Sequence, residues 1–455
     1  MSEKARLVRG SIAGHLVRQT APMIIGVSAM VSTGIVDAYY IGRLGATELA
    51  AISFIFPVGT ALASLGVGVM VGTSSVVSRA IGAGNERRAA SCATLGVLLG
   101  LGFGLLIALA LALGATSLFS LMGADGKALR LIGLYMLPYA LGFPLLLCLS
   151  GLNGTLRAQG LANRSTLVSL SFALANWVLD PILIDGAFGF AGFGMAGAAY
   201  ATVAGWLLGM AVGLWAVQSS EIPLRPALLR EADVAEGARD VLRVALPASF
   251  TSSINPLGLA ILTGLLAREG EAAVGGFGIG GRLQTFAVVP LLGLSGSIGA
   301  IVGQNWGAAA YDRARLALVQ SGLFCLGYGL LVATALFFFC DPLAALFTDD
   351  PATRQAATSY LRIAAWGYAA YGVFIVCNGA FNAVGHATKA LVLSLARVGL
   401  AMVPFALLLQ PSWGASAVYS GELVANFAGG LVAAALAYRL LAFSQTSRKK
   451  PADNS

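Results

Sequence analysis

Charge is scarce in this chain. Asp, Glu, Lys and Arg make up 11% of its 455 residues, against 58% hydrophobic ones. A water-soluble domain cannot cover its surface with so few charges. The short alternating segments of a membrane β-barrel are also missing. Histidine is reduced to His15 and His386, both beside predicted helix ends, so a zinc or haem site has almost nothing to use. The five cysteines, Cys92, Cys148, Cys325, Cys340 and Cys377, lie far apart without CxxC or metal-ligand spacing and read as packing residues. With no HExxH or GxSxG arrangement and no metal set, enzyme chemistry is not expected, and neither is a cofactor. The first apolar run follows Met1, Glu3, Lys4, Arg6 and Arg9 without an Ala-x-Ala-like cleavage site, so no removable signal peptide is expected.

What the chain has in abundance is apolar runs of about 20 residues or more, each long enough to cross a hydrocarbon core of roughly 30 Å as a helix. Breaks of charge, Gly and Pro predict spans near 14–42, 46–81, 87–122, 127–158, 162–184 and 194–219, then 237–267, 271–306, 312–341, 352–384, 387–410 and 414–442. The two sets match at one constant offset. Arg18 meets Arg243, Pro22 meets Pro247, Gly45 meets Gly270, Arg88 meets Arg313, Asn153 meets Asn378 and Gly160 meets Gly385. A gap-free register over about 150 positions marks an internal duplication. Six spans per repeat is an even number, so both halves enter the membrane from the same side, as parallel repeats.

The expected organisation is an all-α membrane protein. It has an N-terminal segment at 1–13, an N-lobe at 14–219, a linker at 220–236, a C-lobe at 237–442 and a tail at 443–455. The linker stretch holds Glu221, Arg225, Arg230, Glu231, Asp233 and Glu236. Most of the 28 Lys and Arg fall on the face that carries both termini and the linker, which places that face in the cytoplasm of a bacterial inner membrane. Topology therefore accounts for the net charge of +8, and scattered loop charges give no support to nucleic-acid binding.

Most of the 20 Asp and Glu sit in loops or at helix ends. Asp37 in the first span, Asp180 in the fifth and, less deeply, Glu422 in the twelfth are exceptions, and a carboxylate at a span centre costs about 2.5 to 3.5 kcal/mol. Asp37 and Asp180 are expected at one depth, with Asn176 one turn from Asp180 on the same face. Their repeat mates, Leu262, Ala401 and Phe405, are not acidic, which confines the polar site to the N-terminal half. Two readings stay open for the acids: ion or proton binding, and polar contacts that fix helix packing. Glu422 reads equally as a packing group and as a substrate contact. Arg282 and Arg397 read as interfacial. Thr33, Asn153, Thr202, Asn255, Gln284, Asn378 and Asn382 add polarity within the spans, and Pro22, Pro138, Pro144, Pro181, Pro247, Pro256, Pro290 and Pro404 mark bends.

Several segments carry a resemblance. VDAYYIGRLGATELAAIS, GTSSVVSRAIGAGNERRA and NWVLDPILI, with the later GQNWGAA and CNGAFNAVGHAT, resemble multidrug and toxic compound extrusion (MATE) transporters over about residues 15–440. The resemblance implies two six-helix lobes around a central cleft, working as a secondary antiporter. Amphipathic, often cationic organic compounds would leave in exchange for protons or sodium ions. It also implies that Asp37, Asn176, Asp180 and, as a looser match, Thr202 line the cavity that holds the coupling H+ or Na+, with Asn153 at the polar position of helix 4. Asn153, Thr33, Tyr139, Asn255, Asn378 and Glu422 are the candidates for the substrate cavity. The norfloxacin-exporter branch carries acids in helices 7 and 10, where this chain has Ser253, Asn255, Tyr371 and Asn378. The pattern is therefore nearer the DNA-damage-inducible, DinF-like branch. Expected partners are small organic molecules and the lipid bilayer, with the chain acting as a monomer. Two other functions stand beside export: a flippase for lipid-linked saccharides and, more remotely, an intramembrane enzyme.

Overall fold

The structure, a computed structural model, describes residues 5–189, 191–230 and 233–446. Met1, Glu3, Lys4, Glu231 and the predicted tail beyond 446 lie outside the described residues. Among the described residues there is no strand, and twelve helices are long and apolar enough to cross a membrane. They are α1 (Ile12–Leu44), α2 (Ala46–Gly82), α3 (Glu86–Leu121), α4 (Gly126–Ala158), α5 (Ala162–Leu183) and α6 (Met195–Gln218). The second set is α7 (Val234–Glu269), α8 (Glu271–Gly307), α9 (Tyr311–Ala345), α10 (Pro351–Ala383), α11 (Ala387–Trp413) and α12 (Ala415–Thr446). Helices are the outcome because lipid offers no hydrogen bonds, so each span must satisfy its own backbone.

The duplicated glycines have a local cause. Gly45 and its mate Gly270 join consecutive helices through a single residue at φ 147° and 105°, and Gly160 and its mate Gly385 end helices at φ 73° and 83°. A side chain is strained in that region of backbone space. Two spans are irregular. A tight turn at Ala365–Gly367 interrupts α10, and a π turn at Arg397–Met402 widens α11 just before Pro404. Proline has no N–H for the carbonyl one turn back and its ring crowds that carbonyl, which a wider turn relieves.

By internal contacts the chain divides into two compact units. One contains Arg6 and Ala21–Ser249, the other Leu7–Thr20 and the chain from Phe250 onward. The amino end of α1 thus belongs to the second unit, where Leu7 N–H donates to Gln304 Oε1 (3.1 Å) and Asn305 Nδ2 donates to the Leu7 carbonyl (3.1 Å). The hydroxyls of Thr20 and Ser297 share a hydrogen bond there at 2.8 Å. The amino end of α7 belongs to the first unit, where Arg88 bridges Glu236 and Asp240 at 3.0 and 2.7 Å. A Cβ on Gly72 would stand 2.8 Å from the Ala245 Cβ. Ala245 and Gly72 are the repeat mates of Thr20 and Ser297, so the exchange follows the duplication.

Within the first unit α3 and α4 pack at glycine distance. A Cβ on Gly100 would stand 2.6 Å from the Leu147 carbonyl oxygen, and one on Gly104 would stand 2.5 Å from Pro144 Cα. Such close backbone approach is how helices gain dispersion energy where lipid removes the hydrophobic drive between them. In the second unit an apolar cluster joins Leu262, Phe277, Tyr360, Tyr368, Met402 and Tyr419.

Candidate functional site

The deep polar residues of the first unit come from four helices. Asn176 and Asp180, one turn apart on α5, are fully buried, while Asp37 on α1 is half-buried. Asp37 and Asp180 lie close enough for each carboxyl group to act on the other. Yet both oxygens of Asp180, Oδ1 of Asp37 and Oδ1 of Asn176 are buried with no donor from the protein. A buried carboxylate is normally paired or supplied with several donors. These oxygens are acceptors short of hydrogens, a chemistry suited to a shared proton or a hard cation such as sodium.

The surrounding helices set this arrangement. The Asn176 amide nitrogen donates to the Phe172 carbonyl at 2.9 Å, which leaves its oxygen for the site. Gly205 on α6 leaves room for that amide, since a Cβ there would stand 2.5 Å from Asn176 Nδ2. Thr202, on the same face of α6, spends its hydroxyl hydrogen on the Ala198 carbonyl at 3.0 Å. Tyr135 from α4 lies near Thr202 and within electrostatic reach of both carboxylates. Tyr135 stacks on Tyr139 at 5.7 Å, and Tyr139 meets Trp206 edge-on at 5.0 Å, so an aromatic wall closes this side.

Of the residues read from sequence as one site, Asn176 and Asp180 lie one turn apart on α5 and Asp37 lies near Asp180, while Tyr135 and Gly205 were not singled out from sequence. The one-turn spacing of Tyr135 and Tyr139 was the available signal, but in an apolar run it reads as packing. Thr33 lies one turn before Asp37 and donates to the Met30 carbonyl at 2.8 Å. Asn153 stands apart. It accepts from Ser165 at 2.9 Å, and Ser165 accepts from Arg157 at 3.3 Å, roughly 22 Å along α5 from Asp180 at about 1.5 Å per residue.

In the second unit Asn378 donates to Ser394 at 3.2 Å. Glu422 is buried, with its two oxygens engaged by Gln284 and Tyr360. One expectation is corrected here. Arg397, read from sequence as interfacial, is 4% exposed in the π turn of α11. It donates to Asn426 at 2.6 Å and to Asn255, and lies over the rings of Tyr371 and Phe374. The wider turn and two amide oxygens make an interior place for a guanidinium that hydropathy cannot foresee. Arg282 is exposed.

Twelve spans among the described residues, a duplicated architecture and a pair of acids within the spans define a multi-pass membrane transporter. The MatE family model matches residues 22–182 and 247–408, and the chain belongs to this family, the MATE transporters. It is 32% identical over 443 residues to the FAD transporter of Shewanella oneidensis, covering 97% of each chain. It is 25% identical over 423 residues to the multidrug export protein MepA of Staphylococcus aureus, covering 92% of each. Among solved structures it superposes with a TM-score of 0.92 on a MATE transporter in complex with MaL6, at 26% identity over 98% of this chain and 100% of that one. With a mutant of the Vibrio cholerae MATE transporter VcmN the TM-score is 0.90, at 28% identity over 97% and 99%. The family's activity is secondary-active export. Neither the fold nor these relatives single out the DinF-like branch.

Proposed function

We propose that this chain, acting as a monomer with both termini in the cytoplasm, exports small organic molecules by coupling their exit to entry of a proton or sodium ion at Asp37, Asp180, Asn176 and Thr202. The proximity of Asp37 and Asp180, with Oδ1 of Asp37 and both oxygens of Asp180 buried and undonated, carries this reading. Two carboxylates in a desolvated site repel, and a proton or cation between them relieves the repulsion. Coupling requires only that the ion bind two conformations of the protein with different affinity. The distribution of Lys and Arg supports the orientation.

The decisive assay is transport in sealed vesicles with proton and sodium gradients imposed separately. Export that ignores both gradients would overturn the reading. The identity of 32% to a FAD transporter, above that to MepA, favours a second cargo reading, a flavin dinucleotide in place of cationic amphipaths. Competition between FAD and a lipophilic cation in the same vesicles separates the two.

A further inference from the structure

The second unit holds a buried acid that the coupling site of the first unit does not use. Glu422 on α12 is 3% exposed, and its partners Gln284 on α8 and Tyr360 on α10 are buried as well. Three contacts close a ring: Gln284 Nε2 to Glu422 Oε1 at 2.6 Å, Tyr360 Oη to Glu422 Oε2 at 2.9 Å, and Tyr360 Oη to Gln284 Oε1 at 3.1 Å. Phe277 meets Tyr360 edge-on at 5.0 Å and Tyr419 meets it at 5.4 Å, so aromatic rings screen the group.

A ring of three hydrogen bonds needs three hydrogens, one in each contact. Gln284 supplies one whichever way its amide is set, because it turns one NH2 and one carbonyl oxygen to its two neighbours. Tyr360 supplies a second. The third can come only from the remaining member of the ring. With an ionised Glu422 the phenol would turn toward the carboxylate, leaving the lone pairs of Tyr360 and Gln284 opposed at 3.1 Å in a buried place.

We propose that Glu422 is a protonated carboxylic acid in this conformation and a proton-carrying site of the second unit. This goes beyond the role given to Asp37 and Asp180 and stands whether or not that role holds. The titratable and charged groups that act on Glu422 are Tyr360, Tyr368 and Tyr371 from α10 and Arg397 from α11. Among the described residues α7, α8 and α9 contribute no other charged group to it.

Arg397 gives the proton somewhere to act. The hydrogen-bond partners of its guanidinium are the neutral Asn426 and Asn255. Asn426 is one turn from Glu422 on α12. When Glu422 gives its proton to water it becomes a carboxylate, the ring opens, and the new charge is drawn to Arg397. That motion pulls on the bond from Arg397 to Asn255 and so links the protonation of α12 to α7.

The test is infrared difference spectroscopy on the full chain in lipid at neutral pH. Glutamate labelled with carbon-13 at its side-chain carboxyl separates glutamic acid from Asp37 and Asp180. The expected result is a carboxylic C=O band that moves with the label, disappears in Glu422→Gln and shifts in Tyr360→Phe, where one ring bond is lost. If Glu422→Gln fails to insert, the shift in Tyr360→Phe decides. Absence of a glutamic acid band in the unmodified protein would overturn the proposal, as would a band indifferent to the substitutions.

Discussion

Gly205 of α6 and Asn176 of α5 approach so closely that a methyl group on the glycine would stand 2.5 Å from the amide nitrogen. The absence of a side chain on one helix therefore fixes the orientation of a polar group on its neighbour. Gly205→Ala is expected to insert, to lose about 1–3 kcal/mol of stability through overpacking, and to impair ion-dependent export by turning Asn176 Oδ1 out of place. Transport by reconstituted protein, matched for amount with wild type, checks this; unchanged export would show that the amide is not needed.

Asp37→Asn keeps the volume of the side chain and removes its charge. The variant is expected to fold and still bind cargo while gradient-driven export falls to background. Near-normal export at equal expression would remove Asp37 from coupling.

If Asp37 and Asp180 form the one ion site proposed, they take up ions as a unit. Cargo binding to purified wild type is expected to vary with pH or sodium, and to lose that dependence in both Asp37→Asn and Asp180→Asn. Calorimetric titration across pH, with and without sodium, measures it. A wild type indifferent to both ions would refute the shared site.

Tyr135 lies near Thr202 and within electrostatic reach of the two carboxylates. Tyr135→Phe keeps the stacking on Tyr139 and removes one hydrogen-bonding group, worth about 0.5–1.5 kcal/mol. The ion concentration for half-maximal export is expected to move by up to about tenfold while maximal export holds.

Gly100 tests packing alone. Its Cβ would meet the Leu147 carbonyl oxygen at 2.6 Å, and backbone does not yield as a side chain does. Gly100→Val is expected to lower the thermal midpoint in detergent and reduce the yield of folded protein, whereas Gly102→Val, with open space around it, leaves both unchanged.

Much of the fold was legible because the bilayer reduces the alternatives. Apolar runs of spanning length have one economical conformation, and their ends are written in glycines such as Gly45 and Gly270 that a turn requires. The irregular turns were less legible. Pro404 advertised a bend but not a π turn, and Ala365–Gly367 has no proline to announce it.

The sequence by itself determined twelve spans, their duplication and the presence of Asp37 and Asp180 within them, because hydropathy and repetition are linear properties. Tertiary structure alone decided which way each helix faces. In lipid the outer and inner faces of a span are both apolar, so periodicity does not reveal the rotation of a helix. That rotation brings Tyr135 within electrostatic reach of the two acids, sets Gly205 against Asn176, buries Arg397 between Asn255 and Asn426, and closes Glu422 into a ring with Gln284 and Tyr360. Each of these depends on side chains far apart in the chain meeting at one depth, and only packing between helices fixes that.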